Sequence, residues 1–483
     1  MKARVPILQP LLASLAALSL TGCLVGPDYS TPEYEIPEKW SSDIQAVSLT
    51  PQELATWWDR FDDPVLSELI GRARTDNIGL RRALARIEEV RARRGLARAE
   101  WFPDLDLSGG MTRSRTSLNG SNSNVSGFQF DARTLYDAGL ELSWELDLFG
   151  RVRRSVQAAR ADVDAAVWDL RDILVLMQAE VANAYIDYCS ALAQLDITRQ
   201  NLQMQTDSSS IANARFESGI ASEADVTQAN TLVYQTTATL PGQEAQVLAA
   251  KNRLCVLLGV PPGSLDDLLA PVVGVPRFAD QLAAGIPADA LRQRPDVRKA
   301  ERELASQTAR IGVATADLYP SFSFNGSFSY ESSSTSDLFE RDSEAFRFGP
   351  KLRWNLIEFG RVRQAIRVED ARAQARLADY EESILTALEE VENALNQHAA
   401  QIQRRGSLSN AISAARRAAE LVQVLYEEGE ADYQNLLDAL RTQADLDTTS
   451  VDNETALARA TIDVFRALGG GWQDPNTDSD TNE

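Results

Sequence analysis

Apolar and polar residues change their period twice along this chain, and both times in the same order. From Gly139 the sequence reads GLELSWELDLFGRVRRSVQAARAD, and from Gly349 it reads GPKLRWNLIEFGRVRQAIRVEDAR. Trp144 matches Trp354, Leu146 matches Leu356, and Phe149-Gly150-Arg151-Val152-Arg153 recurs as Phe359-Gly360-Arg361-Val362-Arg363, always 210 residues on. In each copy an alternation of period two runs into Phe-Gly, and residues of period 3.6 follow at once. That pattern predicts a strand continuing into a helix with no loop between, and an internally duplicated fold. Ala99-Glu100-Trp101-Phe102-Pro103 matches Ala316-Asp317-Leu318-Tyr319-Pro320 at an offset of 217, while Phe216-Glu217-Ser218-Gly219 matches Tyr426-Glu427-Glu428-Gly429 at 210. The first copy therefore carries a longer loop between its two strands, the kind of change a duplicated scaffold tolerates.

Helical spacing of Leu66, Leu69, Ile70, Ala73, Leu80, Leu84 and Ile87 predicts one helix from about 65 to Trp101, stopped by Pro103. Strands follow at about 104–113 and 128–149, separated by a Ser/Asn/Gly loop, and again at about 321–330 and 346–359. The second strand places Leu140, Leu142, Trp144 and Leu146 on one face and Glu141, Ser143, Glu145 and Asp147 on the other. In a soluble sheet such an apolar face covers a core; in an outer membrane it faces lipid while the charges line a wet lumen.

After Gly150 a heptad seam runs through Val163, Val167, Leu170, Leu174, Met177, Val181, Ala184, Tyr188, Ala191, Leu195 and Leu202, a coiled-coil pattern. Leu377, Tyr380, Ile384, Ala387, Val391 and Ala394 repeat it, with His398 expected as a packing residue on the same seam. Gly219 and Gly429 end these long helices. The chain returns through Val226, Val233, Leu240, Val247 and Leu254, and Pro241 is expected to kink that return helix. Gly150 to Ser218 is ~100 Å of helix and Ser222 to Leu258 only ~55 Å, so the helix before Pro103 is needed to cover the remaining ~45 Å. Cys189 and Cys255 then sit ~9 Å out of step on antiparallel helices, which predicts no disulfide between them.

Composition narrows the function. The net charge of −22 argues against nucleic acid, and three cysteines are too few for a disulfide framework. A lone histidine disfavours a His-rich metal site or a Ser-His-Asp triad, and no nucleophile elbow or phosphate loop appears, so an enzyme is not expected and no cofactor is called for. No apolar run of eighteen or more residues follows the N-terminus. Lys2 and Arg4 precede an apolar segment ending in Leu20-Thr21-Gly22-Cys23, which matches a lipoprotein cleavage box. Residues 1–22 are therefore expected to be a signal peptide and Cys23 to carry a covalent lipid such as palmitate. The remaining divisions are an N-terminal arm and girdle segment (23–64), a first repeat (65–259), a linker (260–287), a second repeat (288–470) and a disordered acidic tail (471–483). Four strands cannot close a barrel, and lipid tolerates no open edge, so the chain must oligomerise.

The lipoprotein box with Gly26-Pro27-Asp28-Tyr29, the segment from Trp57-Trp58 to Asp63-Pro64, Arg294-Pro295-Asp296-Val297, both Phe-Gly-Arg junctions and Glu390-Val391-Glu392-Asn393-Ala394-Leu395 resemble the outer-membrane factor (TolC-like) family, in its lipoprotein branch. The resemblance implies an α+β membrane protein: a homotrimer whose twelve strands form a barrel in the cell outer membrane and continue into a long coiled-coil α-helical barrel. It implies an efflux channel delivering small molecules from an inner-membrane pump, with a periplasmic adaptor as the second partner. Leu24, where inner-membrane lipoproteins carry aspartate, points to the outer membrane. The exit duct of a type I protein secretion system is the alternative within the family, and a structural coiled-coil lipoprotein the alternative outside it.

Two groups of residues are candidates for function. The tip turns, with Arg215, Gly219, Ser222 and Gly429, expose helix termini and are expected to receive the adaptor. Gln434, Asp438, Arg441 and Asp445 recur at helical spacing away from the seam of Leu436, Leu440 and Gln443. A solvated helix face has the same pattern. By resemblance, Leu436-Leu437-Asp438-Ala439 matches the context in which the family narrows its periplasmic entrance, which makes Gln434, Asp438 and Arg441 the candidate gate. Asn435 stands where a second acidic ring is found in some members. The spacing of Asp438 and Arg441 permits an ion pair.

Overall fold

A computed structural model describes residues 23–35, 51–115, 132–278 and 291–473. The expected signal peptide, the strand start at Phe128 and Phe130, part of the linker and the acidic tail beyond Gln473 lie outside the described residues. Strands β1 (Asp104–Ser114), β2 (Arg133–Leu146), β3 (Ser321–Ser332) and β4 (Glu344–Arg353) form one antiparallel sheet in that order. The two repeats meet in its middle, where Trp144 lies opposite Phe324 and Leu146 opposite Phe322. Leu107 is 81% exposed and Phe346 73%, so among the described residues the apolar face is left largely uncovered in a single chain. An added Cβ on Gly326 would lie 2.6 Å from Phe348 Cδ1, which shows the Phe348 ring resting on the glycine.

The expectation that strand runs straight into helix is corrected. β2 stops at Leu146 and β4 at Arg353, before Phe-Gly in both copies. Both stop where β3 begins, Leu146 opposite Phe322 and Arg353 opposite Ser321, and the left-handed Gly150 (φ 82°), Phe359 (φ 49°) and Gly360 (φ 85°) then turn the chain toward the helix. In the first copy Asp147 Oδ1 and Oδ2 accept the Val152 and Arg153 N–H groups at 3.1 and 3.0 Å, supplying the next helix with its first acceptors. The tryptophans of the repeat have equivalent bonds. Trp144 Nε1 donates to Trp101 O at 3.0 Å and Trp354 Nε1 to Leu318 O at 3.2 Å.

The long helices are α1 (Pro64–Asp76), α2 (Ile78–Ala99), α3 (Arg151–Glu217), α4 (Glu223–Leu257), α5 (Pro295–Ala316), α6 (Arg361–Glu428) and α7 (Tyr433–Ala467). α4 continues through Pro241. The single helix expected before Pro103 is two, broken at Asn77, whose backbone is extended (ψ 127°). The break has a purpose in the bonding. Asn77 Oδ1 accepts the Leu80 N–H at 3.1 Å, and Nδ2 donates to Leu257 O at 2.7 Å, in the last turn of α4. In the second repeat Arg294, just before α5, donates from Nη1 to Ala467 O at 2.6 Å, in the last turn of α7. Asn77 and Arg294 are 217 apart and Leu257 and Ala467 are 210 apart, the two offsets of the duplication. Different side chains satisfy the same buried carbonyl.

Contacts divide the chain into two compact units, and each draws on both repeats rather than one. One comprises the chain up to Pro32 with Ile87–Ala165 and Ala300–Tyr380; the other comprises Glu33–Arg86, Ala166–Lys299 and Glu381–Glu483. In the first, Gly26 (φ 86°) meets Gly312 so closely that a Cβ on Gly26 would lie 2.4 Å from the Gly312 Cα. Arg154, itself buried, holds this arm by donating to Val25 O (3.0 Å) and Gly26 O (3.1 Å) and pairing with Asp28 (2.9 Å). In the second, Trp57 stacks on Phe465 at 5.5 Å within a core that includes Leu66, Ile70, Val181, Tyr185 and Ile462. Leu265, Leu269 and Phe278 are buried in the same core, so the described part of the expected linker is packed structure. The chain also stays packed past residue 470: Gln178 Nε2 donates to Gly471 O at 3.0 Å, Trp168 and Trp472 meet edge to face, and Arg171 lies against both rings. Cys189 and Cys255 are buried free thiols, and His398 is buried.

Arg294 also pairs with Asp296 and Glu390, and Lys299 with Asp169. Beside them burial, then the Asp296 carboxylate, push Asp172 up to about 6 against the pull of Lys299 and Arg294. The folded chain thus holds this proton more tightly than the unfolded one, whose carboxyl titrates near 3.8. The contribution to stability is present below that value and is lost as pH rises through about 6. Asp172→Asn is expected to raise the thermal midpoint of detergent-solubilised protein at pH 7 and to shrink the difference between pH 5 and pH 7; an unchanged difference would show that Asp172 is not the titrating group. Asn77→Ala leaves the Leu257 carbonyl without its donor and is expected to lower stability by about 1–3 kcal/mol, read as a lower denaturation midpoint.

Candidate functional site at the hairpin tips

α3 and α4 form one hairpin and α6 and α7 the other, and their tips share one backbone design. Gly219 N donates to Phe216 O (2.8 Å) and Ile220 N to Arg215 O (2.9 Å); Gly429 N donates to Tyr426 O (3.1 Å) and Glu430 N to Leu425 O (2.8 Å). Both glycines are left-handed, at φ 73° and 84°, the geometry that ends a helix and satisfies its last carbonyls. Ser222 then starts α4 with a reciprocal cap: its side chain accepts the Asp225 N–H at 3.3 Å, and Asp225 Oδ2 accepts the Ser222 N–H at 3.1 Å. Asp432 begins α7 with no side-chain cap.

The two tips differ in what they present. Phe216 and Ile220 are exposed apolar residues on the first, whereas Glu427, Glu428, Glu430 and Asp432 are exposed on the second. Gly219, Ser222 and Gly429 are exposed, as a docking turn requires. Arg215 is bonded across to the other hairpin. Its Nη1 donates to Glu427 O at 2.9 Å and to Tyr426 O, and its guanidinium lies 4.8 Å from the Tyr426 ring centre. The first hairpin thereby caps the carbonyl end of α6 with a cation, at the end of the helix where its dipole is negative. Below the clamp, Tyr426 and Tyr433 meet edge to face at 5.4 Å over Ala212, Ala229, Leu232, Leu436, Leu437 and Leu440. Tyr433 and Leu437 were not legible as core from the seam alone. The one sequence clue to the clamp is that Arg215 aligns with Leu425, a charge present in one repeat only.

The polar stripe lies where its spacing puts it: Gln434, Asp438, Arg441 and Asp445 are all exposed on α7, opposite buried Leu436 and Leu440. The ion pair that the spacing permits is not made. Gln434 Nε2 donates to Asp438 Oδ1 at 3.1 Å instead. Gln443 turns inward, with its amide 3.8 Å from Met204 Sδ. Cys23 is exposed with a free thiol, one residue before Leu24, whose Cδ1 would lie 2.5 Å from a Cβ on Gly150. Among the described residues no three His, Cys, Asp or Glu side chains converge as a metal site would need.

Removing the clamp tests its role. Arg215→Ala is expected to cost about 1–3 kcal/mol of local stability, seen as roughly 5- to 150-fold faster hydrogen exchange in a peptide covering Leu425–Asp432. Arg215→Lys should recover little of it, because an ammonium cannot both bridge two carbonyls and stack on the ring.

Residues 69–260 and 286–470 match the family described as outer membrane efflux protein. Nodulation protein T of Rhizobium leguminosarum bv. trifolii is 31% identical over 94% of this chain and 96% of its own length. The toluene efflux pump outer membrane protein TtgF of Pseudomonas putida is 31% identical over 94% of this chain and 95% of its own. The solved outer-membrane channel OprN superposes with a TM-score of 0.84 at 34% identity, covering 94% of this chain and all of that one. With the duplicated hairpins, the four-stranded sheet and matches spanning nearly its whole length, the chain belongs to the outer membrane efflux protein family.

Proposed function

We propose that this protein is the outer-membrane duct of a tripartite efflux pump, working as a homotrimer that passively conducts small molecules handed to it by an inner-membrane transporter and a periplasmic adaptor. The observation that carries the reading is the sheet itself. It has four strands, two unpaired edges and an uncovered apolar face. An open edge has no stable place in lipid, and eight strands are about the fewest that close. Three copies supply twelve strands, with apolar residues toward lipid and Glu141, Glu145 and Lys351 toward a wet lumen. Efflux as the task, and small molecules as the cargo, are carried over from relatives such as the toluene efflux pump component.

Cys23, at the free end of a fixed arm, is the lipid attachment point. The tips receive the adaptor through Gly219, Ser222 and Gly429, with Arg215 bracing the pair from within. Asp438, free of Arg441, is the narrowing group: three copies around one axis repel one another and attract cations. Planar-bilayer recording tests this reading. Purified wild-type protein is expected to give a small, cation-preferring conductance. Asp438→Ala should raise the conductance and weaken the cation preference, and Arg441→Ala should strengthen it. If neither substitution alters conductance or selectivity, the stripe is a solvated helix face and the narrowing lies elsewhere.

A further inference from the structure

The polar face of the sheet is sorted by charge from edge to edge. Because cross-strand partners share a face, the register fixes which side chains line it. Asp106 lies opposite Glu141, Glu141 opposite Ser327, and Ser327 opposite Arg347. Asp104 lies opposite Ser143, Ser323 opposite Lys351, and Ser321 opposite Arg353. Edge strand β1 is thus acidic on this face, β3 carries serines, an asparagine and, at its far end, Glu331, and the other edge strand, β4, is basic. None of Asp104, Asp106, Arg347, Lys351 or Arg353 has an ion pair or a side-chain hydrogen bond among the described residues.

Inside one chain this arrangement is unfavourable or idle. Asp106 sits directly beside Glu141, a like-charge pair, and the cations of β4 sit beside neutral serines. Each edge carries the charge that the opposite edge lacks. The strands alternate in direction through the sheet, so β4 of one copy and β1 of the next can pair antiparallel, as their neighbours do. We propose that the seam between copies is a charge zipper, in which Arg347, Lys351 and Arg353 of β4 face Asp104 and Asp106 of the next copy's β1 on the lumen side. The occupant of each edge is a second copy of this chain. Opposite charges specify a head-to-tail junction, whereas β1 against β1 or β4 against β4 would set like charges side by side, so the zipper selects a closed ring over a two-fold dimer. This inference rests on the oligomeric reading above and adds what chooses the partner edge.

Charge reversal tests it. Three chains are compared with wild type by native mass spectrometry and by the rate at which oligomers dissociate in detergent: Asp104→Lys with Asp106→Lys, Arg347→Glu with Lys351→Glu, and all four together. Each reversal alone should speed dissociation by at least about tenfold, and the fourfold swap, which restores complementarity in every copy, should return it to within about threefold of wild type. Wild-type dissociation should also quicken as ionic strength rises. Should a reversed chain fail to insert, the neutral chain with Asp104→Asn, Asp106→Asn, Arg347→Gln and Lys351→Gln is measured instead, and its dissociation should be insensitive to salt. A wild type that is monomeric overturns the zipper together with the oligomeric reading. A trimeric wild type whose reversals dissociate no faster, whose swap gives no rescue, or whose neutral variant keeps the same salt response overturns the zipper alone.

Discussion

A backbone N–H or C=O needs a partner, and the need is sharpest where water is not at hand. A strand in lipid has no solvent to satisfy it, and the end of a buried helix leaves up to four carbonyls open. The chain answers with side chains placed at the ends of its elements. Asn77 and Arg294 close the return helices, Asp147 opens α3, and Arg215 closes α6. Among the described residues the two outer strands of the sheet, β1 and β4, each have one edge with no strand beside it, a need that a second copy could meet.

The duplication shows which of these bonds the fold requires and which it leaves open to change. Where both repeats make the same bond with unlike residues, as Asn77 and Arg294 do, geometry is what has been kept. Where they make it with like residues, as Trp144 and Trp354 do, both shape and donor have been kept. At the tips the backbone turns are alike but the surroundings are not: Arg215 faces Tyr426, while its counterpart Leu425 reaches no such acceptor. The two hairpins thereby differ from one another at their tips, with Phe216 and Ile220 exposed on one and Glu427, Glu428, Glu430 and Asp432 on the other.

Much of this was legible from periodicity. Strands, long helices and return helices follow from period two against period 3.6, and the internal repeat located both hairpins and the sheet. What periodicity could not carry was local. The break at Asn77 is invisible because Leu66 through Ile87 keep their helical spacing across it; only a polar residue with a buried tertiary acceptor marks the spot. The shortened strands have another origin: Leu146 lies opposite Phe322 and Arg353 opposite Ser321, where β3 begins, so the residues beyond them have no strand left to pair with. The segment after Gly259 reads as linker by its prolines and glycines, yet Leu265, Leu269 and Phe278 are core. The stripe at Asp438 was legible as a surface, but the partner of Asp438 was not, because Gln434 and Arg441 are both within reach on a helix.

The contact between Gly26 and Gly312 has a bearing on where this protein sits in a membrane. The two backbones meet there with no room for a side chain between them, so the arm crosses the helix at a point that only glycine allows. Cys23 is three residues away, and an extended chain spans at most ~3.5 Å per residue, so its backbone lies no more than ~10 Å from the crossing. Leu24 rests on the bend at Gly150, where the apolar face of the sheet gives out. An acyl group there would be held level with the lower rim of the lipid-facing surface. It would serve less as a tether than as a plumb line, setting the depth at which that surface meets the bilayer.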